Sequence, residues 1–229
     1  MINDEIRGTV MAAASENYLF LGSSGNFDPD SQYFIASATK LYITALILQL
    51  VDANKLMLND KIEKLLSPNR LSGLHIYEGT DYSNQITVEH LLSHTSGLPD
   101  YFQTARKSKN SLMSRVLNGN DQKWDFDYVI SEAKELGAAF PPSSGKALYS
   151  DTNYQILGEI IKTITGDSLE KAIDKGICKK IGQHKTYLYH DVNDSTPVPL
   201  NYKKTELAIP LAMSSFGADG GLVSTASEG

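Results

Sequence analysis

Four serines in this 229-residue chain are followed three positions later by a lysine: Ser37/Lys40, Ser131/Lys134, Ser143/Lys146 and Ser168/Lys171. At that spacing a hydroxyl and an amine share one helix face, so each pair could join a nucleophile to its activating base. Context separates them. Ser131 lies among Glu132, Lys134 and Glu135 and reads as solvated surface. Ser168 opens a helix, where serine is a common cap. Ser143 belongs to the loop AFPPSSGKALYSD, in which Lys146 need not face it. Ser37 sits where a loop becomes the start of an apolar helix, ATKLYITALILQLVDANK. The free N–H groups and positive dipole end of such a helix suit an oxyanion. A lysine one turn into it is costly to bury, and apolar surroundings let it lose its proton and act as a base. On these residues alone, a catalytic pair and a simple helix cap both remain open.

Tyr149-Ser150-Asp151 directly precedes a second long helix. A tyrosine beside a nucleophile serves as general acid/base when a cation lowers its pKa, and Lys40 would be that cation. A packed aromatic with a bonded hydroxyl is the alternative. His90 and His94 invite a metal reading, but their order is Glu-His-x-x-x-His rather than His-Glu-x-x-His, and no third ligand is apparent. We expect neither metal nor cofactor. Cys178 is the only cysteine, so an intrachain disulfide is impossible, and it reads as a small buried hydrophobe.

The elements that must position these residues follow from pattern. Residues 7–14 (RGTVMAAA) and 17–22 (NYLFLG) are β-prone runs about Ser15-Glu16 and predict a hairpin. The helix after Ser37 runs to about Ala53 and is apolar on nearly every face, so it should be buried all round. DKIEKLL predicts a short helix, and Ile86–Leu92 another, with Thr87 as N-cap; Gly97 and Pro99 break the segment that follows. Residues 125–136 read as an exposed amphipathic helix. NYQILGEIIKTITG places Tyr154, Leu157, Ile160, Ile161 and Ile164 on one stripe and ends at Gly166. Asp167 or Ser168 then caps LEKAIDKGICKKI. A strand pair followed by a long helical stretch is α+β rather than alternating βαβ.

Composition bounds the function. The net charge of −6, with 27 acidic against 21 basic residues well interleaved, argues against nucleic acid as a partner. The longest apolar run, Leu41 to Val51, is interrupted by Thr44 and Gln49 and is too short to span a bilayer. Met1–Arg7 lacks the basic and apolar regions of a signal peptide. The protein is therefore expected to be cytoplasmic, or to have had an export signal replaced by Met1.

Four segments occur in one order: Ser37-Ala-Thr-Lys40, ITVEHLLSHTSGLPDY, Tyr149-Ser-Asp-Thr-Asn-Tyr-Gln-Ile-Leu-Gly158, and Gly220-Gly-Leu-Val-Ser-Thr225. Together they resemble the successive signatures of the serine β-lactamase-like superfamily: class C β-lactamases, D-alanyl-D-alanine carboxypeptidases of that type and related esterases. The resemblance spans roughly residues 7 to 229, and the four-part order is far more specific than any one motif. It implies an acyl-enzyme mechanism without metal or cofactor, acting on a small-molecule ester, amide or peptide. Ser37 would be nucleophile, Lys40 its base partner and Tyr149 a proton shuttle, with the Ser37 N–H forming half of an oxyanion hole. The base is disputed in the related class A enzymes, so Lys40 and Tyr149 are assigned jointly. His94 matches a histidine that orders the turn in this family.

Two departures matter. The family's Tyr-x-Asn is Tyr149-Ser150-Asp151 here. Asparagine offers an N–H donor, whereas an ionised Asp151 only accepts; placed in the substrate-binding region it would hold Lys40 charged and repel anionic substrates. Esters or small amides are thus expected ahead of penicillins. The family's third motif, Lys/His-x-Gly on a central strand, does not follow Tyr149, so the sheet should be incomplete. A hairpin alone is marginal, and the helix from Ala38 needs cover on several sides. A truncated or cleaved chain, or a second chain completing the sheet, is therefore expected. The implied architecture is a β-lactamase/transpeptidase-like antiparallel sheet with flanking helices plus a helical domain. Residues 1–36 and 200–229 would build the partial sheet domain, and 37–199 the mostly helical one. The rival reading is a non-catalytic, penicillin-binding-like scaffold that holds peptide, lipid or cell-wall fragments.

Overall fold

The computed structural model describes residues 8–106 and 110–228; the segment read for an export signal, Met1–Arg7, lies outside them. Strands β1 (Gly8–Ser15) and β2 (Tyr18–Gly25) form the expected hairpin, in register from Gly8 opposite Gly25 to Ser15 opposite Tyr18. Most of its side chains are exposed, including Met11, Tyr18 and Leu19. After β3 (Tyr33–Phe34) the chain makes one 3-10 turn over Ala36–Ala38 and enters α1 (Thr39–Asp52).

Ile43, Leu46, Ile47 and Leu50 of α1 enter the main core. The expectation that this helix is buried all round is corrected: Leu41 is 72% and Leu48 43% exposed. Seven residues separate them, so they share one face, and no element among the described residues lies over it. DKIEKLL is also corrected. It keeps only a 3-10 turn at Ile62–Lys64, because Ser67-Pro68 restarts the chain as the one-turn helix α2 (Pro68–Leu71).

A small ribbon, β4 (Ile76–Tyr77) with β5 (Thr80–Asp81), leads to α3 (Val88–Leu92). Thr87 caps α3 as expected: its hydroxyl accepts the His90 N–H, and the His90 ring accepts the Thr87 N–H. Helices α4 (Leu112–Leu117) and α5 (Phe126–Leu136) follow, capped by Ser111 and Asp125. Helix α6 (Asp151–Thr165) buries Tyr154, Ile156, Leu157, Ile160 and Ile161, and ends at Gly166 with φ of 69°, a left-handed stop glycine adopts freely. Ser168 caps α7 (Leu169–Ile173), which widens into a π turn over Asp174–Cys178 before α8 (Lys179–Ile181).

Strand β6 (Tyr187–Leu188) follows, in a turn-rich stretch with short apolar runs. The ribbon β7 (Leu200–Tyr202) with β8 (Thr205–Leu207), helix α9 (Pro210–Phe216), a 3-10 turn at Gly217–Asp219 and β9 (Leu222–Ser224) complete the order. β9 is the centre of a three-stranded antiparallel sheet, with β3 on one side and β6 on the other. Alternation along these strands divides two cores. Leu188 and Leu222 join the core of α1, α3 and α6, whereas Phe34, Tyr187 and Val223 pack with Tyr101, Trp124 and Met213.

Candidate active site

Ser37 lies in the 3-10 turn between the sheet and α1. The residue before it, Ala36, has φ of 47°, a left-handed conformation that costs an L-residue roughly 1 kcal/mol. Strain of this kind is held where surrounding contacts fix the backbone. Here the Ile35 N–H donates to the Leu222 carbonyl (3.0 Å), and the Leu222 N–H donates to Thr39 Oγ1 (3.1 Å), tying both flanks of the turn to β9.

Lys40, on the first turn of α1, is buried, and its ammonium meets three oxygens. It donates to Ser37 Oγ at 3.2 Å and to the Asp219 carbonyl at 2.5 Å, and forms an ion pair with Asp151 Oδ1 at 2.8 Å. The Tyr149 and Tyr154 rings lie 5.1 and 5.4 Å from its nitrogen. Burial pulls the Lys40 pKa down, but the Asp151 carboxylate, with help from Asp219 and Tyr149, outweighs it and holds the pKa above the ordinary lysine value. The resting state is a charged ammonium with its donors engaged.

The Tyr149 hydroxyl donates to Ser37 Oγ at 2.8 Å. Ser37 Oγ is thus the meeting point of Lys40 and Tyr149, and Asp151 reaches it through Lys40. Tyr149 is 45% exposed, which leaves this hydroxyl cluster open to incoming molecules.

The HTSGLPDY run is the frame that holds Tyr149 and Asp151. The His94 ring stacks on Tyr149, centroids 4.5 Å apart and planes 29° apart. Its Nδ1 accepts the Ser150 N–H (3.1 Å), which assigns the free proton to Nε2. Burial and the Lys40 charge lower the His94 pKa, so the neutral, accepting ring is favoured. The His94 carbonyl accepts from Leu148 N–H, Pro99 O accepts from the Ser150 and Thr152 hydroxyls, and Asp100 Oδ2 accepts the Asp151 N–H. Asp151 is also the first residue of α6, where the helix dipole favours its negative charge.

Sequence reasoning missed Asp219. Its carbonyl anchors Lys40, while its own carboxyl is buried: Oδ2 accepts from Tyr101 OH (2.8 Å) and Gln155 Nε2 (3.1 Å), and Tyr101 OH in turn accepts from Trp124 Nε1 (3.1 Å). Burial and the nearby Asp151 charge push the Asp219 carboxyl well above the usual carboxylate range. An acid set in the apolar run Phe216–Val223 beside two glycines was the available signal. Gly158 of α6 supports the same turn, since a Cβ there would stand 2.6 Å from Ala218 Cβ.

The other candidate pairs do not assemble. Ser131 is on the exposed face of α5, Ser168 caps α7 through the Lys171 N–H, and Ser143 Oγ bonds His90 Nε2 (2.8 Å) while Lys146 is exposed. His90 caps α3, whereas His94 lies past its end with φ of 58°, so the two rings do not share a helix face. Cys178 is buried, as a small apolar side chain would be.

The Beta-lactamase family model matches residues 4–228. Penicillin-binding protein 4 of Amycolatopsis lactamdurans is 26% identical over 157 residues, covering 69% of this chain and 36% of that protein. Penicillin-binding protein 4* of Bacillus subtilis is 27% identical over 198 residues, covering 81% of this chain and 39% of that protein. The D-stereospecific amidohydrolase from Streptomyces sp. superposes with a TM-score of 0.82 at 25% identity, over 98% of this chain and 66% of that one. The chain thus spans little more than a third of the length of these curated relatives.

Proposed function

The chain belongs to the Beta-lactamase family, whose fold is that of the serine β-lactamases and penicillin-binding proteins, and from that premise we propose that it is a serine hydrolase cleaving an ester or amide through an acyl-Ser37 intermediate. The observation that carries this reading is the convergence of Lys40 Nζ and Tyr149 OH on Ser37 Oγ, at 3.2 and 2.8 Å.

Ser37 Oγ attacks the acyl carbon and forms the C–O bond, while its proton passes to the Lys40/Tyr149 pair. The Ser37 N–H supplies one donor of the oxyanion hole, since the Ala38 and Thr39 N–H groups are already given to the Ile35 and Ala36 carbonyls. The pair returns the proton to the departing alcohol or amine as the old acyl bond breaks. Water, deprotonated by the same pair, then releases the acid and restores Ser37. Both partners donate to Ser37 in the resting state, so the competent form has first lost one proton from that pair.

Preference for esters and small amides over penicillins follows from Asp151, which accepts where asparagine would also donate. The ion pair that holds Lys40 charged also favours a second reading, a non-catalytic scaffold for peptide, lipid or cell-wall fragments. Intact-protein mass after a fluorophosphonate separates the two. An adduct on Ser37, lost in Ser37→Ala and kept in Ser131→Ala, supports the enzyme; no adduct in a chain that still binds such fragments supports the scaffold.

A further inference from the structure

A cavity of about 430 Å³ opens directly beside Ser37, between α4, the β7–β8 ribbon and α9. Its walls are large apolar side chains, chief among them Phe102, Met113, Val116, Leu117, Met213 and Phe216, and Ser37 lies on its rim. Phe102 and Phe216 meet edge to face at 4.8 Å, so the wall is a packed surface. Among the described residues, its charged lining is Asp151 and Asp219 alone. Asp151 is paired with Lys40, and the Asp219 carboxyl is turned to Tyr101 and Gln155, its pKa raised by burial and the Asp151 charge. No lysine or arginine among the described lining residues could pair with a carboxylate.

We propose that this cavity is the acyl subsite, selecting neutral substrates whose acyl group is bulky and apolar, of about six carbons or a phenylalkyl group. The proposal rests on Ser37 being the nucleophile for its orientation, since only then does the rim hydroxyl meet a carbonyl whose apolar arm points inward. An apolar arm displaces water from a site able to offer it little polar contact. Each buried methylene is worth about 0.8 kcal/mol, or roughly fourfold in affinity, until the walls are reached. A carboxylate on that arm would lose its hydration among apolar walls, with no lysine or arginine in the described lining to pair with it.

Trp124, the only tryptophan, backs the cavity against Phe102 and Phe216, with Phe216 at 5.2 Å. Its fluorescence therefore reports occupancy independently of turnover. The full chain and its Ser37→Ala variant are titrated with n-alkyl amides from acetamide to decanamide and with octanoate. In parallel, kcat/KM is measured for p-nitrophenyl esters of the same acids. Affinity and kcat/KM are expected to rise about fourfold per methylene and level off near six to eight carbons. Octanamide should bind at least tenfold tighter than octanoate, and Val116→Phe should move the plateau to shorter chains. Flat dependence on chain length, or octanoate binding as tightly as octanamide, would overturn the subsite even if esters are hydrolysed. Graded amide binding in a protein that hydrolyses no ester would instead leave the binding cavity and sink the hydrolase.

Discussion

Lys40 Nζ and Asp151 Oδ1 lie 2.8 Å apart, both buried, one at the start of α1 and the other at the start of α6. Around Lys40 stand Asp151, the Asp219 carbonyl, Ser37 and Tyr149, with Tyr154 and His94 behind them. The pair makes Lys40 a firmly held cation, and its strength decides at what pH the Ser37 cluster becomes basic.

Asp151→Asn should therefore move the acid limb of kcat/KM to lower pH. Removing the carboxylate leaves burial, which lowers the Lys40 pKa, so the free amine appears earlier as pH rises. A pH–rate profile with a neutral p-nitrophenyl ester checks this. An unmoved limb would show that Lys40 does not titrate in the rate-limiting step.

Tyr149→Phe should lower kcat by roughly 100-fold or more while leaving thermal stability nearly unchanged, since a half-exposed hydroxyl is lost. His94→Ala should lower kcat less, by about tenfold, through loss of the ring stacked on Tyr149. Retained kcat in Tyr149→Phe would remove Tyr149 from the proton path.

How much of this was legible in the sequence depends on the range of the contact. The hairpin, the Thr87 cap, the Gly166 stop and the Ser37/Lys40 face are set within a few residues, and the chain displays them. Bringing Tyr149 to Ser37 needed the four-segment resemblance, because nothing local links residues 112 positions apart. Asp219 was missed for the same reason: its partners, Lys40, Tyr101 and Gln155, lie on three other segments. The exposure of Leu41 and Leu48 was missed because an apolar pattern tells which surfaces want cover, not whether this stretch supplies it.

Stability should fall on acidification. Burial lowers the His90 and His94 pKa values below 6.5, and each ring accepts a backbone N–H only when Nδ1 is unprotonated. The unfolded chain takes up these protons at higher pH than the folded one. The contribution is therefore complete above pH 6.5 and is lost as pH drops through the lower folded values. Urea midpoints measured from pH 7.5 to 5 should decline, and the decline should be shallower in a His90→Gln/His94→Gln variant.

Gly158→Ala should cost about 1–3 kcal/mol, since the added methyl would stand 2.6 Å from Ala218 Cβ and push on the turn that carries the Asp219 carbonyl. Thermal unfolding gives the number. An equal loss of kcat/KM for short and long esters would place the damage at Lys40 rather than in the acyl cavity.

The ladder between β3 and β9 joins Tyr33 to Ser224 and Phe34 to Val223, and Lys40 grips a carbonyl 179 residues along the chain. A ribosome must therefore release almost the whole segment before the serine has a lysine held at fixed distance. The hairpin and α1 can condense early, but the contacts that fix Ser37 and Lys40 wait for the Gly217–Asp219 turn and β9. Until then α1 carries Ser37 and Lys40 without the Asp219 carbonyl that anchors the lysine.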